Sequence, residues 1–389
     1  MIPTTRELVS SEELRVLTRH VVKKDFYHFF RHAWTQLPRV ADLVVAPHIP
    51  VTCRYLHAAY EKKFDRLLIN IPPESLKALA VDTPVLTTWG WKNHGDIQVG
   101  DFVFGPDGLP KRVLAATEHS EKPSSKVFFK NAWSDQRFIV AANDHLWQVE
   151  RAVGGGNTTC NSQHARRRIE VVATDQLRPN GSQKSDRIPV AEPVQLPPKR
   201  LLIDPYVLGM WLGDGSSDSG SIYVCDEDKA MVEPYGRLSR IDKADGSRRK
   251  QDFRKYLIPE LQTKLRMLDV LHNKHIPEDY LESSVEQRWA LLQGLMDTDG
   301  TCSKDKGGCY FSNKNKAIID AFRLLLGSLG IKSTYAENYS TCNGKRYGPH
   351  YNIGFIAPKG STIFRLERKQ KLVRYPTNET SRKCYVDRV

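Results

Sequence analysis

One short motif occurs twice in this chain, and the duplication constrains the fold more than any other feature. Leu208-Gly209-Met210-Trp211-Leu212-Gly213-Asp214-Gly215 aligns with Gln293-Gly294-Leu295-Met296-Asp297-Thr298-Asp299-Gly300, and both Gly209 to Gly294 and Asp214 to Asp299 span 85 residues. The match continues downstream, where Tyr223–Ala230 parallels Tyr310–Ala317 at an offset of 87. Each unit reads as a helix, an acidic turn, a strand and a second helix. Glycine inside an apolar helix costs about 1 kcal/mol relative to alanine. It is tolerated where another backbone must come very close. Two such helices can pack around a pseudo-two-fold axis, and each ends in Asp-Gly, where the chain can turn sharply. The packing sets Asp214 and Asp299 side by side at one end of the pair. Two carboxylates held together facing a basic surface form a divalent-metal site suited to hydrolysing phosphodiesters. A single Asp-Gly would merely stop a helix.

Composition agrees with a polyanionic partner. The chain has 389 residues and a formal net charge of +13, which suits nucleic acid and equally suits a well-solvated basic surface. With 40% hydrophobic residues there is room for two or three domains with a sizeable core. No apolar run approaches a membrane span, and Met1-Ile2-Pro3-Thr4-Thr5 does not begin like a secretion signal. The seven cysteines are scattered and form no CxxC pair. Neither a disulfide framework nor a zinc site is indicated, and a reducing cytoplasm fits.

The two motifs resemble the paired signature of LAGLIDADG (dodecapeptide-type) homing endonucleases, over about Leu201 to Lys371. Asn273-Lys274-His275-Ile276-Pro277 is similar to the segment that precedes the second motif in that family, and Phe364-Arg365-Leu366-Glu367-Arg368-Lys369 to the segment that closes the domain. The resemblance implies an α/β domain of αββαββα repeats whose two sheets saddle double-stranded DNA. It implies a monomer with an internal pseudo-two-fold, Asp214 and Asp299 holding Mg²⁺ (or Mn²⁺), and Lys274 steadying phosphate or water nearby. Arg248-Arg249-Lys250 and Arg254-Lys255 are either phosphate contacts or solvated loops.

The texture before residue 200 differs. Thr83 to Trp91, Asp101 to Gly108 and Arg137 to Val140 read as short strands divided by Gly, Pro and Asp turns. Pro189 to Pro198 reads as a linker. Leu79-Ala80-Val81-Asp82-Thr83-Pro84-Val85 and Gly95 to Asp101 resemble the opening blocks of an intein, a self-splicing insertion, which implies an all-β Hint-type domain. Most inteins begin with Cys or Ser, and Ala78 carries no nucleophile. Asn143-Asp144-His145-Leu146-Trp147 and Ser381-Arg382-Lys383-Cys384-Tyr385-Val386-Asp387 resemble later blocks. Together with Ala78, they resemble the class 3 type. That type implies that Cys384 attacks the Lys77-Ala78 bond, with His145 as general acid and Trp147 as the class marker. Arg382 and Lys383 are expected to lower the Cys384 pKa. Taken singly, Cys384 and Trp147 also read as core residues. Ala142 stands where the family usually has Thr. The family's last block and its terminal His-Asn pair are expected beyond Val389, so the chain as given would at most cleave its N-terminal junction.

Before the seam, Leu67 to Lys77 reads as an apolar strand entering a turn that ends in lysine, the beginning of a phosphate-binding loop. Ala78-Leu79-Ala80 then replaces the expected Ser or Thr and helix. Asp25 to Trp34 and Val51 to Lys63 read as amphipathic helices. Residues 1–77 resemble the start of a phage terminase large subunit, which implies that Lys77 binds ATP phosphates only once the insertion is removed. The domain boundaries expected are 1–77 for an incomplete α/β P-loop host segment, 78–199 and 372–389 for the splicing domain, and 200–371 for the endonuclease. The leading function is an intein-borne nuclease making sequence-specific double-strand breaks. The alternatives are splicing alone, a DNA-binding relic, or an incomplete terminase ATPase fragment.

Overall fold

The computed structural model describes residues 79–116, 121–130, 138–152, 167–179, 185–242, 253–303, 307–342, 345–376 and 383–389, with scattered positions between 25 and 63. The chain divides into two compact units, Met1–Pro73 and Glu74–Val389. In the first, Tyr27, Phe29, Cys53 and Arg54 are helical, on the two stretches expected to be helices. Lys77 and Ala78, and with them the phosphate-loop and seam readings, lie outside the described residues. No helix among the described residues is long and apolar enough to cross a membrane.

The second unit begins with β structure. β1 (Pro84–Thr87), β2 (Gly90–Asn93), β3 (Phe102–Phe104) and β4 (Pro110–Arg112) form a sheet in the order β2-β1-β3-β4. Gly90 closes the first hairpin at φ +96°, a conformation that favours glycine. A second sheet contains β5 (Ser124–Phe129), β6 (Phe138–Ala142), β7 (Leu146–Ala152), β8 (Arg167–Ala173) and β9 (Arg187–Pro189). Alternate residues of β7, Trp147, Val149 and Arg151, point inward, the period-2 pattern of a strand with one face buried. Trp147 and Val149 pack with Val127, Ala141, Val172 and Val386 in a small apolar core.

Residues 190–204 are irregular but not a free tether. Gln195 donates to the Gly108 carbonyl (2.8 Å) and Val194 to that of Ser328 (2.9 Å). The fully buried Arg288 guanidinium clasps the Val194 and Ser328 carbonyls. The linker expected from its prolines is therefore an extended strap. Proline fixes φ without requiring exposure, and the strap's backbone groups find partners on both sides.

Beyond it lies an α/β region built on the repeat. α1 (Pro205–Asp214), β10 (Ser221–Cys225), β11 (Arg237–Asp242), β12 (Phe253–Leu257), α2 (Leu261–Met267) and α3 (Glu278–Leu281) make one half. The other half has α4 (Val285–Asp299), β13 (Gly300–Cys302), β14 (Cys309–Asn313), α5 (Lys316–Ser328), β15 (Ser333–Cys342), β16 (Lys345–Phe355) and α6 (Glu367–Gln370). The sheets run β10-β12-β11 and β13-β14-β16-β15.

The halves differ where the sequence promised similarity. After β14, Asn315 caps α5 and Ile318, Ile319, Phe322, Leu325 and Leu326 form its buried stripe. After β10 the chain makes only a 3-10 turn, Asp226–Met231. Pro234 follows three residues later and cannot continue a helix. One core of buried residues joins both halves, with Trp211, Tyr206 and Phe322 among its largest members.

The last strand, β17 (Lys383–Arg388), leaves this region. It inserts into the second β sheet, giving the order β6-β5-β17-β9-β7-β8. Cys384 faces Ile188 across the ladder and Val386 faces Phe129.

Candidate functional site

The repeat helices meet along their glycines. A Cβ on Gly294 would lie 2.2 Å from the Tyr206 carbonyl oxygen and 3.0 Å from the Gly209 Cα, and one on Gly209 would lie 2.6 Å from the Leu291 carbonyl oxygen. Only backbone fits between these helices. Each is fixed at its start by a cap: Asp204 accepts from the Tyr206 and Val207 amides ahead of Pro205, and Ser284 and Gln287 form a reciprocal capping box. Their C-termini therefore emerge together, carrying Asp214 and Asp299.

Burial dominates the electrostatics there. It pushes the Asp214 carboxyl up to about 6, with the neighbouring Asp299 charge as the second cause. Asp299 is likewise raised by burial, although Asn313 donates to it at 2.8 Å. Lys274 and Lys369 oppose both shifts.

These two lysines occupy matching positions. The Lys274 ammonium donates to the carbonyls of Trp211 (2.9 Å), Leu212 (3.1 Å) and Gly215 (2.7 Å), closing the end of α1. The Lys369 ammonium donates to those of Asp297 (2.7 Å), Thr298 (3.1 Å) and Gly300 (2.9 Å), closing the end of α4. Each positive charge sits on the negative end of a helix. Burial pulls Lys274 down to about 8, and the two carboxylates hold it up against that pull.

The sequence reading gave Lys274 a role and passed over Lys369. Lys369 was visible only as one cation in a basic run. It also passed over Asp297, which has no acidic counterpart in the first copy. That carboxylate is buried and accepts from the Tyr206 hydroxyl (2.7 Å) and the Arg365 and Leu366 amides (3.1 Å each). It thereby fixes the segment that brings Lys369 to α4.

A cleft of about 400 Å³ opens beside Asp299, lined by Ser312, Asn313, Lys314 and His350. Among the described residues no group of three or more His, Cys, Asp or Glu side chains could hold a metal. The two helix ends bring together two carboxylates, Asp214 and Asp299. Two half-buried carboxylates with raised pKa values, lacking a full countercharge, fit a hard divalent cation. Of the expected phosphate contacts, Arg254 is held by Asp226 (2.5 Å) and Lys255 lies over Tyr223. Arg248, Arg249 and Lys250 lie outside the described residues.

In the β part, His145 and Trp147 come together edge to face, with ring centroids 4.9 Å apart. The Trp147 indole donates to Thr174 (2.9 Å), whose hydroxyl donates to the His145 carbonyl (3.3 Å). His145 is 6% exposed and its Nδ1 has no hydrogen-bond partner. Burial first, and His94 second, lower its pKa. Thr174, invisible to the motif reading because it lies 27 residues after Trp147, is what ties the two together.

Among the described residues no hydrogen bond or ring contact joins Cys384 to this pair. The expected low thiol pKa is corrected: burial pushes the Cys384 thiol up, opposed by Lys332. Lys383 is instead ion-paired to Glu150 (2.5 Å), and Arg382 lies outside the described residues. A charge next in sequence points to the other face of a strand, and here it is spent on a carboxylate.

Comparison with known proteins narrows the identity. Replicative DNA helicase DnaB of Mycobacterium intracellulare is 33% identical over 316 residues, covering 78% of this chain and 51% of the relative. That of Mycobacterium leprae is 40% identical over 88 residues, 22% of this chain and 14% of the relative. The chain thus spans about half the length, or less, of these curated relatives. Neither is a terminase, so the terminase and phage host reading is unsupported, and neither name speaks for the class 3 type.

Among solved structures, the MchDnaB-1 intein is 36% identical with a TM-score of 0.20, covering 28% of this chain and 66% of its own. The homing endonuclease I-DmoI in complex with DNA and Ca is 15% identical with a TM-score of 0.30, covering 44% of this chain and 95% of its own. At such TM-scores these likenesses carry no weight for function. The profile of the family described as LAGLIDADG-like domain matches residues 286–372, which hold α4, Asp299 and Lys369. Residues 286–372 are thus similar to a LAGLIDADG-like domain.

Proposed function

We propose that this chain is an intein carrying a homing endonuclease that makes double-strand breaks in DNA. The observation that carries the nuclease reading is the convergence of Asp214 and Asp299 at the ends of two glycine-mated helices, each clasped by a lysine. Asp214 and Asp299 would hold Mg²⁺ (or Mn²⁺), which would supply Lewis acidity and water activation. The remaining work belongs to the chain. Asn313 fixes the Asp299 rotamer, and Lys274 and Lys369 hold both helix ends rigid and offset the carboxylate charge.

The test needs no known target. The chain is incubated with a randomised duplex library in Mg²⁺, Mn²⁺ or chelator, and cut ends are sequenced. Metal-dependent ends from wild type, absent from Asp214→Asn and Asp299→Asn, support the reading. Retarded DNA without cut ends identifies a DNA-binding relic and sinks it.

A second reading adds autocatalytic peptide cleavage at Lys77-Ala78. It is favoured by His145, which is buried with an unpartnered Nδ1 and lies four residues after Ala141, the residue on β6 that pairs with Leu79. The Cys384 sulfur would bond to the Lys77 carbonyl carbon and the bond to the Ala78 nitrogen would break. The thiol proton would end on that amine, relayed by His145. The products are a thioester and a free α-amine. Release of residues 1–77 by an added thiol, lost in Cys384→Ala, is the expected result. Undiminished release in that variant would overturn this reading.

A further inference from the structure

Lys332 stands between α5 and β15, in the α/β region, yet its ammonium reaches into the β sheet. It donates to the Lys383 carbonyl at 2.9 Å and lies 5.4 Å from the centre of the Tyr385 ring, so it brackets Cys384 from both chain neighbours. The opposite flank is basic too. The Arg187 guanidinium on β9 packs 4.7 Å from the same Tyr385 ring. Arg167 on β8 feels the charges of Arg187 and Tyr385. The cation on β17 itself, Lys383, is taken up by Glu150 of β7. Among these groups Lys332 is the one whose charge acts on the Cys384 thiol against the effect of burial.

We propose that Lys332 is a positioning residue for Cys384, so that the α/β insertion completes the peptide-cleaving centre it interrupts. The role has two parts. The hydrogen bond to the Lys383 carbonyl pins β17 one residue before the sulfur. The ammonium beside the sulfur favours the thiolate, which is the nucleophilic form. An α/β region that undocks would withdraw both at once. This inference rests on Cys384 being the nucleophile, the second reading above, and its test separates the two.

The full-length chain and its Lys332→Met and Lys332→Arg variants are alkylated with iodoacetamide over a range of pH. The Cys384 peptide is quantified by mass spectrometry, which keeps the other cysteines apart. Lys332→Met is expected to move the alkylation midpoint up by about one pH unit and slow the reaction near neutral pH about tenfold, with Lys332→Arg restoring most of the rate. A purely structural lysine would leave the midpoint in place or raise reactivity by exposing the thiol, and either result overturns the proposal. Exchange protection of the Val386 amide, which is bonded to the Asp186 carbonyl, checks that β17 stays in its sheet. Thiol-induced release of residues 1–77 is measured in parallel. A shifted midpoint with release that Cys384→Ala leaves untouched supports the Lys332–Cys384 coupling and sinks the nucleophile reading alone.

Discussion

Gly209 and Gly294 bring two helices into backbone contact: a Cβ on Gly294 would stand 3.0 Å from the Gly209 Cα. The geometry of the acidic site follows from that contact, because it fixes where both helices end.

Alanine at Gly294 would press on the Tyr206 carbonyl at 2.2 Å. Backbone on both sides cannot yield as a side chain does, so Gly294→Ala should cost about 3 kcal/mol or more and abolish cleavage as Asp214 and Asp299 move apart. The opposite result is expected at Gly327 in α5, where a Cβ would meet nothing within 4 Å. Gly327→Ala should stabilise by about 0.5–1 kcal/mol. Thermal melts of the two variants check both signs.

The Asp214 carboxyl gives the metal-free protein a defined pH dependence. Its pKa is raised from 3.8 to about 6 on folding, so the folded state binds this proton more tightly than the unfolded state. The associated stability is full below about pH 4 and is lost as pH rises through about 6, to the extent of about 2–3 kcal/mol. In chelator, Asp214→Asn should flatten denaturation midpoints across that window. A wild-type midpoint that does not fall there would contradict the burial of this group.

Lys369 should behave as Lys274 does. Replacing either by Met removes an ammonium that satisfies carbonyls at a helix end and offsets the paired carboxylates. Cleavage should fall on the order of a hundredfold in each, with DNA retention changed much less. If Lys369→Met cleaves at the wild-type rate, its role is confined to holding α6 against α4.

In the β part, Arg151 makes a two-pronged pair with Asp186, at 2.9 and 2.7 Å, and Asp186 is fully buried. Arg151→Met would strand that carboxylate and should cost about 3–5 kcal/mol. Because the Asp186 carbonyl accepts from the Val386 amide, β17 should lose exchange protection first. Uniform loss across the sheet would mean that the pair does not act locally.

Much of the acidic site was legible because its determinants are periodic. Glycines at fixed places in two apolar runs, each followed by Asp-Gly, announce a helix pair that must touch, and the repeat supplies the register. Lys369 was not legible, since a lysine in a basic run carries no mark of which carbonyls it will meet 70 residues upstream. Nor was the thiol environment of Cys384. Sequence neighbours suggested Arg382 and Lys383, but strand geometry turned Lys383 to Glu150 and left the role to Lys332.

The sequence by itself determined the two glycine-bearing helices, the pairing of Asp214 with Asp299 and the β texture before residue 190, because these depend on local propensity and on spacing along the chain. Tertiary structure alone decided that Pro189–Pro198 is a strap. It also returned β17 to the sheet between β5 and β9. Those outcomes turn on which backbone carbonyls, cations and strand edges remain unpaired when the chain closes, and their partners lie far away in sequence.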